Sequence, residues 1–505
     1  MDPHQFTFIF VLAMIFSFAD AFGIGANDVA NSFATSVSSG SLSMTQAICI
    51  AIVTEFCGAF FLGSETSSTI SGGIIDSKNF YPQPGLLMLG MTISVLSSAI
   101  WVIFSTSFGW PVSSTHSIIG AIIGMGIAAF GSSSVKWGYD GVAKIVTSWF
   151  ISPIISAVVA STIYLFTKYL ILEKQNSFHR GLKAIPIYIF ITFWINLTFI
   201  VSNFLSKKKS KKVSFGETIG ISAISSFGVA IISYFFYSTW LRRKIINHED
   251  MKLWHILVSP FIGPQPVINE STELTTLNTN DISDDAAQQK AFKLPTRIQK
   301  FKKLAFGSFK KDVRNIENPS LTDIHSRAKR YDSDTELLFE FIQVLTACAA
   351  SFSHGSNDVA NAVGPLTTVY HIWKDGQVPE KDTPVSTWTL VFCAIGIDLG
   401  LATYGYKIMR TLGNNITYTS PSRGFAAELG TSLTIVTASK LGLPVSTTHC
   451  ITGAIVGVGL CNGDWKAINW KMFAIIFLSW VITLPVAGLI SGIIFAFVAY
   501  SPMKF

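Results

Sequence analysis

The chain carries the same five residues twice inside apolar sequence, Asn27-Asp28-Val29-Ala30-Asn31 and Asn357-Asp358-Val359-Ala360-Asn361. A second element follows each copy: Pro111-Val112-Ser113-Ser114-Thr115-His116, then Pro444-Val445-Ser446-Thr447-Thr448-His449. The offsets are 330 and 333 residues, so the chain is one unit built twice. Any fold must therefore hold two copies of a polar site within apolar surroundings. Ionisable and amide groups are expensive to bury, and in a bilayer they mark an ion or substrate path. Duplication with a polar site in each half is also how many secondary carriers are built.

Composition fixes the setting. Of 505 residues, 49% are hydrophobic and 13% charged, about half the charged fraction of an average soluble protein. Apolar stretches recur at 6–22, 46–63, 86–108, 113–130, 145–171, 185–205, 217–240, 336–352, 388–412, 424–440, 443–461 and 471–500. Each is near the ~20 residues that a spanning helix needs. The expected fold class is an all-α polytopic membrane protein. The N-terminal MDPHQFTFIF lacks a basic lead and a cleavage site, so 6–22 is expected to be the first span and not a signal peptide. The six cysteines have no metal-ligand spacing and suit helix packing.

Three parts follow along the chain: an N-terminal half (1–240), a polar basic linker (241–335) and a C-terminal half (336–505). Residues 242–330 hold 16 of the 37 Lys and Arg against 10 acids. The stretch 264–286 is too polar to fold alone. At 290–314, nine basic residues accompany Ile298, Phe301, Leu304 and Phe309. That spacing suits either an amphipathic helix on an anionic leaflet or a solvated basic loop. Seven apolar segments precede the linker, so the second copy enters the membrane from the opposite side, as an inverted repeat. The positive-inside rule puts the linker in the cytoplasm and the N-terminus outside. The lysine cluster at 207–212 argues the other way, since one span separates it from the linker.

The first 135 residues contain one Lys, Lys78, and no Arg, yet they carry Asp20, Asp28, Glu55 and Glu65. Asn27 and Asn31 lie four apart, as do Asn357 and Asn361, which on a helix is one face, with Asp28 and Asp358 beside them. Gly23, Gly25 and Gly355 favour local unwinding that frees carbonyls. Carboxylate, amide and carbonyl oxygens suit a small hard cation. The alternative is a polar helix–helix contact. The second element has the features of a helix start, with Pro preorganised and Ser or Thr capping free N–H groups. Such an end is a ready anion site. Two of them facing each other would cradle one oxyanion without Arg; ordinary capping is the plainer alternative. Cations held at Asp28 and Asp358 would then supply the field that admits the anion.

Glu55 and Glu428 are further intramembrane carboxylates, with Arg423 a candidate partner for Glu428. His116, His354 and His449 suit either proton relay or plain hydrogen bonding.

The duplicated Gly-x-Asn-Asp-Val-Ala-Asn and Pro-Val-Ser-x-Thr-His elements, with Ser420-Pro421-Ser422-Arg423-Gly424-Phe425, resemble the signature of the inorganic phosphate transporter family, and the whole chain resembles its fungal sodium/phosphate cotransporters. The resemblance covers both halves but not the linker. It implies twelve membrane segments in two repeats with short re-entrant-type hairpins, external termini and a cytoplasmic linker in the plasma membrane. It implies phosphate at Ser113, Ser114, Thr115, Ser446, Thr447 and Thr448. It implies Na⁺ at Asn27, Asp28, Asn31, Asn357, Asp358 and Asn361, and transport-essential carboxylates at Glu55 and Glu428. No cofactor is implied beyond co-transported Na⁺, and no nucleic acid. Membrane lipid is the expected surrounding and a homodimer stays open. Proton coupling, or sulfate as substrate, is the alternative within the class. An intramembrane aspartyl protease using Asp28 and Asp358 as a dyad is an alternative of another class, for which the flanking Asn residues have no use. No Gly-x-x-x-x-Gly-Lys-Ser/Thr loop is present, so ATP use is not expected.

Overall fold

The computed structural model describes residues 2–64, 74–139, 141–207, 214–267, 319–380, 383–440 and 445–501. The expected basic helix at 290–314, most of the linker, Pro444 and the lysines at 208–212 lie outside them. Among the described residues every regular element is helical, apart from isolated bridges such as Ile75 with Val135. The apolar stretches account for this. Among the described residues, nine helical stretches are long and apolar enough to cross a membrane: Thr7–Ser39, Met44–Leu62, Pro84–Ser107, Val142–Leu172, Ser177–Ser202, Gly216–Ile245, Ser333–Asp375, Thr387–Tyr404 and Trp470–Tyr500. The chain is a multi-pass membrane protein.

The elements, in order, are α1 (Thr7–Asn27), α2 (Ala30–Ser39), α3 (Met44–Leu62), α4 (Pro84–Ser107), α5 (Ser114–Phe130), α6 (Val142–Thr167), α7 (Ser177–Lys207) and α8 (Phe215–Ile232). They continue with α9 (Ser238–Ile245), α10 (Pro319–Ser326), α11 (Ser333–Asp375), α12 (Thr387–Tyr404), α13 (Tyr406–Asn414), α14 (Pro421–Lys440), α15 (Thr447–Leu460) and α16 (Trp470–Tyr500). Two of the expected spans, α5 and α15, have 17 and 14 residues. At 1.5 Å per residue they fall short of a ~30 Å hydrocarbon core. The expected segment at 424–440 is the helix α14, too polar to rank with the long apolar ones.

The described chain packs as two compact units. The larger holds Met1–Leu165 and Gln343–Phe505, and so both copies of each duplicated element. Its helices meet backbone to backbone through glycines, and the meetings come in exchanged pairs. A Cβ on Gly120 or Gly124 of α5 would lie 2.4 Å from the Leu484 carbonyl or 1.9 Å from that of Gly488, both in α16. The equivalent Gly453 and Gly457 of α15 press in the same way on Pro153 and Ala157 of α6. Gly25 of α1 abuts the Ile397 carbonyl of α12, and Gly355 of α11 abuts that of Glu55 in α3. Each copy therefore rests its glycine faces on helices of the other. Small residues permit this approach, which a membrane favours because lipid gives no hydrophobic force between helices.

The smaller unit contains α7 to α9 and residues that composition assigns to the linker. After α9 the chain folds back instead of trailing into solvent. Arg243 binds the carbonyls of Ser259 (2.8 Å), Ile262 (2.9 Å) and Gly263 (2.6 Å), and its Nη2 meets Glu249 Oε2 at 2.6 Å. Gln265 donates its N–H to the same carboxylate. These bonds hold Glu249 down from 4.5 to about 2, Arg243 contributing most. A lowered pKa means the tie is complete above pH 4.5 and is lost as pH falls toward 2. Glu249→Gln should accordingly raise amide exchange across 249–265 at neutral pH, where the parent loop stays protected until strong acid. Equal exchange in both proteins would show that the loop does not depend on this ion pair.

Candidate functional site

The first duplicated element lies where α1 stops and α2 starts. Between them Asn31 and Ser32 donate their N–H groups to Asp28 and Val29, three residues back, which tightens the turn instead of opening it. In the second copy α11 runs through Asn357–Asn361 without a break. The expected unwinding is thus confined to one copy, and there it is a tightened turn.

The second element is a helix start in both copies. Ser113 caps α5, its hydroxyl accepting from the N–H of His116 at 3.3 Å, and Ser446 caps α15, accepting from His449 at 3.4 Å. Both start residues have extended backbone, as an N-cap requires. The two starts meet directly. Thr448 Oγ1 lies 3.1 Å from the carbonyl of Val112 and 3.0 Å from Asp28 Oδ1. Behind them the rings of His116 and His449 stand edge to face at 4.8 Å, and His449 stacks on Trp480 at 4.0 Å.

The asparagines separate by role. Asn31 donates to Thr448 (2.9 Å) and Thr447 (3.5 Å), on the helix start of the other copy. Asn361 answers in kind, donating to Ser114 (3.0 Å) and Thr115 (3.1 Å). Asn27 does not share this face, contrary to the four-residue spacing. Its oxygen accepts the N–H of Val112 and its amide donates to Thr106 and the carbonyl of Trp110, so it pins the approach to α5. The broken helix turns it away from Asn31. Asn357 donates to Asp358 Oδ1 at 2.7 Å.

The carboxylates converge. Asp28, His354 and Asp358, all buried, each bring a ligand atom within 4.8 Å of the others. Asp28 accepts from the Ser114 N–H and from Thr448, while Asp358 accepts from Thr447. His354 stands between two acids, with Nδ1 2.9 Å from Glu55 Oε2 and Nε2 2.7 Å from Asp358 Oδ2. Ser351 completes the surroundings of Glu55 at 2.8 Å. A carboxylate-rich cluster with no Lys or Arg among its described partners has the oxygen donors a small hard cation requires.

Glu428 sits apart in a hydroxyl cage. Thr35 (2.6 Å), Ser36 (2.7 Å) and Gln343 (3.1 Å) donate to Oε1, and Thr346 (2.5 Å) to Oε2. Arg423 is not its partner, as the sequence suggested. Its guanidinium donates to Asn462 Oδ1 and the Lys329 carbonyl and lies over Tyr164 and Tyr418. Five residues along a helix is over a full turn and directs the two side chains apart. Gln343, Thr346, Thr35 and Ser36 were not foreseen. They carry no local motif, and only the three-residue spacing of Gln343 and Thr346 on one helix face hints at a shared target. A cavity of about 20 Å³ lies between Asn31, His354, Glu428 and Thr447, room for about one water.

A helical membrane protein with a duplicated oxyanion-type helix start and an adjoining carboxylate cluster has the parts of an ion-coupled carrier. The profile of the phosphate transporter family matches residues 24–491, and the chain belongs to that family. It is 37% identical to the phosphate-repressible phosphate permease pho-4 of Neurospora crassa, over 99% of both chains. It is 29% identical to the mouse sodium-dependent phosphate transporter 1, covering 97% of this chain and 95% of that one. A solved sodium-dependent phosphate transporter superposes with a TM-score of 0.73 at 29% identity, covering 98% of this chain and all of the other. None of these matches supports the protease alternative.

Proposed function

We propose that the chain is a Na⁺-coupled symporter that carries inorganic phosphate into the cell by alternating access, and not an enzyme. The observation that carries this reading is the convergence of Asp28 and Asp358, one from each copy, against two capped helix starts that touch. Phosphate binds where Ser113, Ser114 and Thr115 meet Ser446, Thr447 and Thr448, taking N–H and hydroxyl donors from both. Na⁺ binds at Asp28 and Asp358 with Asn31, Asn357 and Asn361, while Asn27 holds the first helix start in register. Glu55 supports Asp358 through His354, and Glu428 is a separate transport-essential carboxylate. Two inverted repeats with α5 and α15 as re-entrant arms, a cytoplasmic linker and the plasma membrane complete the proposal. The test is uptake of labelled phosphate with Na⁺ replaced by choline across a pH series. Uptake that survives choline at every pH overturns Na⁺ coupling.

One observation favours a second reading. His354 bridges Glu55 and Asp358, so a titratable group links two carboxylates of the cluster. Uptake in choline that rises as pH falls would assign the coupling to protons instead.

Ser113→Ala and Ser446→Ala each remove a hydroxyl that both caps a helix and faces the proposed anion. A hydrogen bond to a charged ligand is worth ~1.5–3 kcal/mol, so phosphate affinity should fall roughly tenfold or more at each. Loss of the cap alone would cost about 1 kcal/mol of stability and leave affinity intact. Equilibrium phosphate binding, read beside thermal stability, separates the two roles.

A further inference from the structure

The buried carboxylates described above have donors: Asp28, Asp358 and Glu55 accept at least two contacts each and Glu428 four. Asp20 differs. It is 0% exposed within α1, and among the described residues no donor meets its oxygens in full hydrogen-bond geometry; its polar neighbour is the Ser98 hydroxyl of α4. Ser17, three residues earlier and hence on the same face, is equally buried and its Oγ is equally unmet. Ser98, on α4 and also 0% exposed, brings its Oγ toward Asp20. Across from them α12 contributes Cys393. Packed together, α1, α4 and α12 contain no Lys, Arg or His. These three helices thus supply no cation to Asp20, although a bare carboxylate in hydrocarbon is among the costliest groups a membrane protein can hold. Capping or fold stability does not account for a buried carboxylate with so few donors.

We propose that Asp20, Ser17 and Ser98 form a further Na⁺ site, a station on the ion's path to Asp28. The inference rests on the Na⁺-coupled reading above. Two carboxylate oxygens and two hydroxyls are hard donors of the kind Na⁺ takes. Asp28 lies eight residues on, about 12 Å along the helix at 1.5 Å per residue. An ion leaving Asp20 moves two turns along α1 and arrives between the two helix starts. Occupancy of the station screens the field of Asp28, so the two sites fill in a linked order.

The test uses full-length protein, purified for equilibrium ²²Na⁺ binding and reconstituted in vesicles for phosphate uptake. Asp20→Asn keeps the shape and removes the charge. It should lose one bound Na⁺, raise the half-saturating Na⁺ for uptake several-fold and flatten its Na⁺ dependence. Phosphate affinity at saturating Na⁺ should hold, because the helix starts are untouched. Asp20→Glu should recover part of the Na⁺ binding. Ser98→Ala should shift Na⁺ dependence in the same direction by less, which covers the case of an Asn variant that folds poorly. Unchanged Na⁺ binding in Asp20→Asn overturns the station while leaving Na⁺ coupling intact. A changed pH profile with unchanged Na⁺ binding overturns it in favour of a proton. Wild-type protein that binds no Na⁺ removes both this inference and the reading beneath it.

Discussion

Asp28→Asn and Asp358→Asn are each expected to abolish the stimulation of phosphate binding by Na⁺. Phosphate affinity at fixed Na⁺ should drop roughly 5- to 150-fold, the span of a site–site coupling of ~1–3 kcal/mol. The substitution is almost isosteric, and the asparagine oxygen can still accept from the Ser114 N–H or from Thr447. What disappears is charge. If the carboxylates merely repelled the anion, their removal would tighten phosphate binding. If they hold the cation that attracts it, removal weakens binding, because linkage between the two ligands is reciprocal. Neither copy should rescue the other, since both acids and His354 form one cluster. Phosphate binding to each purified variant across a Na⁺ titration decides the matter. A wild-type Na⁺ dependence in both would move the coupling to Glu55 and Glu428.

A single methyl group at Gly124 or Gly25 should have an effect just as large, on folding and not on binding. The added Cβ would lie 1.9 Å from the Gly488 carbonyl or 1.8 Å from that of Ile397, so a backbone must move. Overpacking in a rigid interior typically costs ~1–3 kcal/mol, and here no flexible side chain can yield. Gly124→Ala and Gly25→Ala should abolish the monodisperse peak in gel filtration or lower Tm sharply. Gly220→Ala and Gly228→Ala are the controls. Nothing lies within 4 Å of a Cβ at either, and alanine gains about 0.8–1 kcal/mol of helix propensity there. A normal Gly124→Ala protein would mean that α5 and α16 do not touch as described.

The nine long helices were legible because they are apolar runs of the right length, and the two polar elements because each motif recurs; the short α5 and α15 and the polar α14 do not follow that pattern. Duplication, however, states what is repeated and not which copy packs against which. Asn31 reaching Thr447 and Thr448 spans more than 400 positions, and no local pattern reports it. Asn27 leaves the face its spacing implies because that spacing assumes a continuous helix, and α1 ends there. The cage of Glu428 draws on α2 and α11, so it exists only once the copies have interlocked. Gly120-x-x-x-Gly124 and Gly453-x-x-x-Gly457 did carry a signal for that interlocking, the spacing of close helix contact.

The exchanged glycine contacts have a consequence for how the protein is made. As α5 leaves the ribosome its proper neighbour, α16, has yet to be translated, and more than 300 residues still separate them. The same wait applies to α1 before α12 and to α6 before α15. For that whole interval the first half sits in the bilayer with its closest-fitting faces covered only by lipid and its site residues without their partners. Synthesis therefore passes through a half-assembled stage whose length is set by translation, and damage to the second half should leave the first as a substrate for membrane quality control.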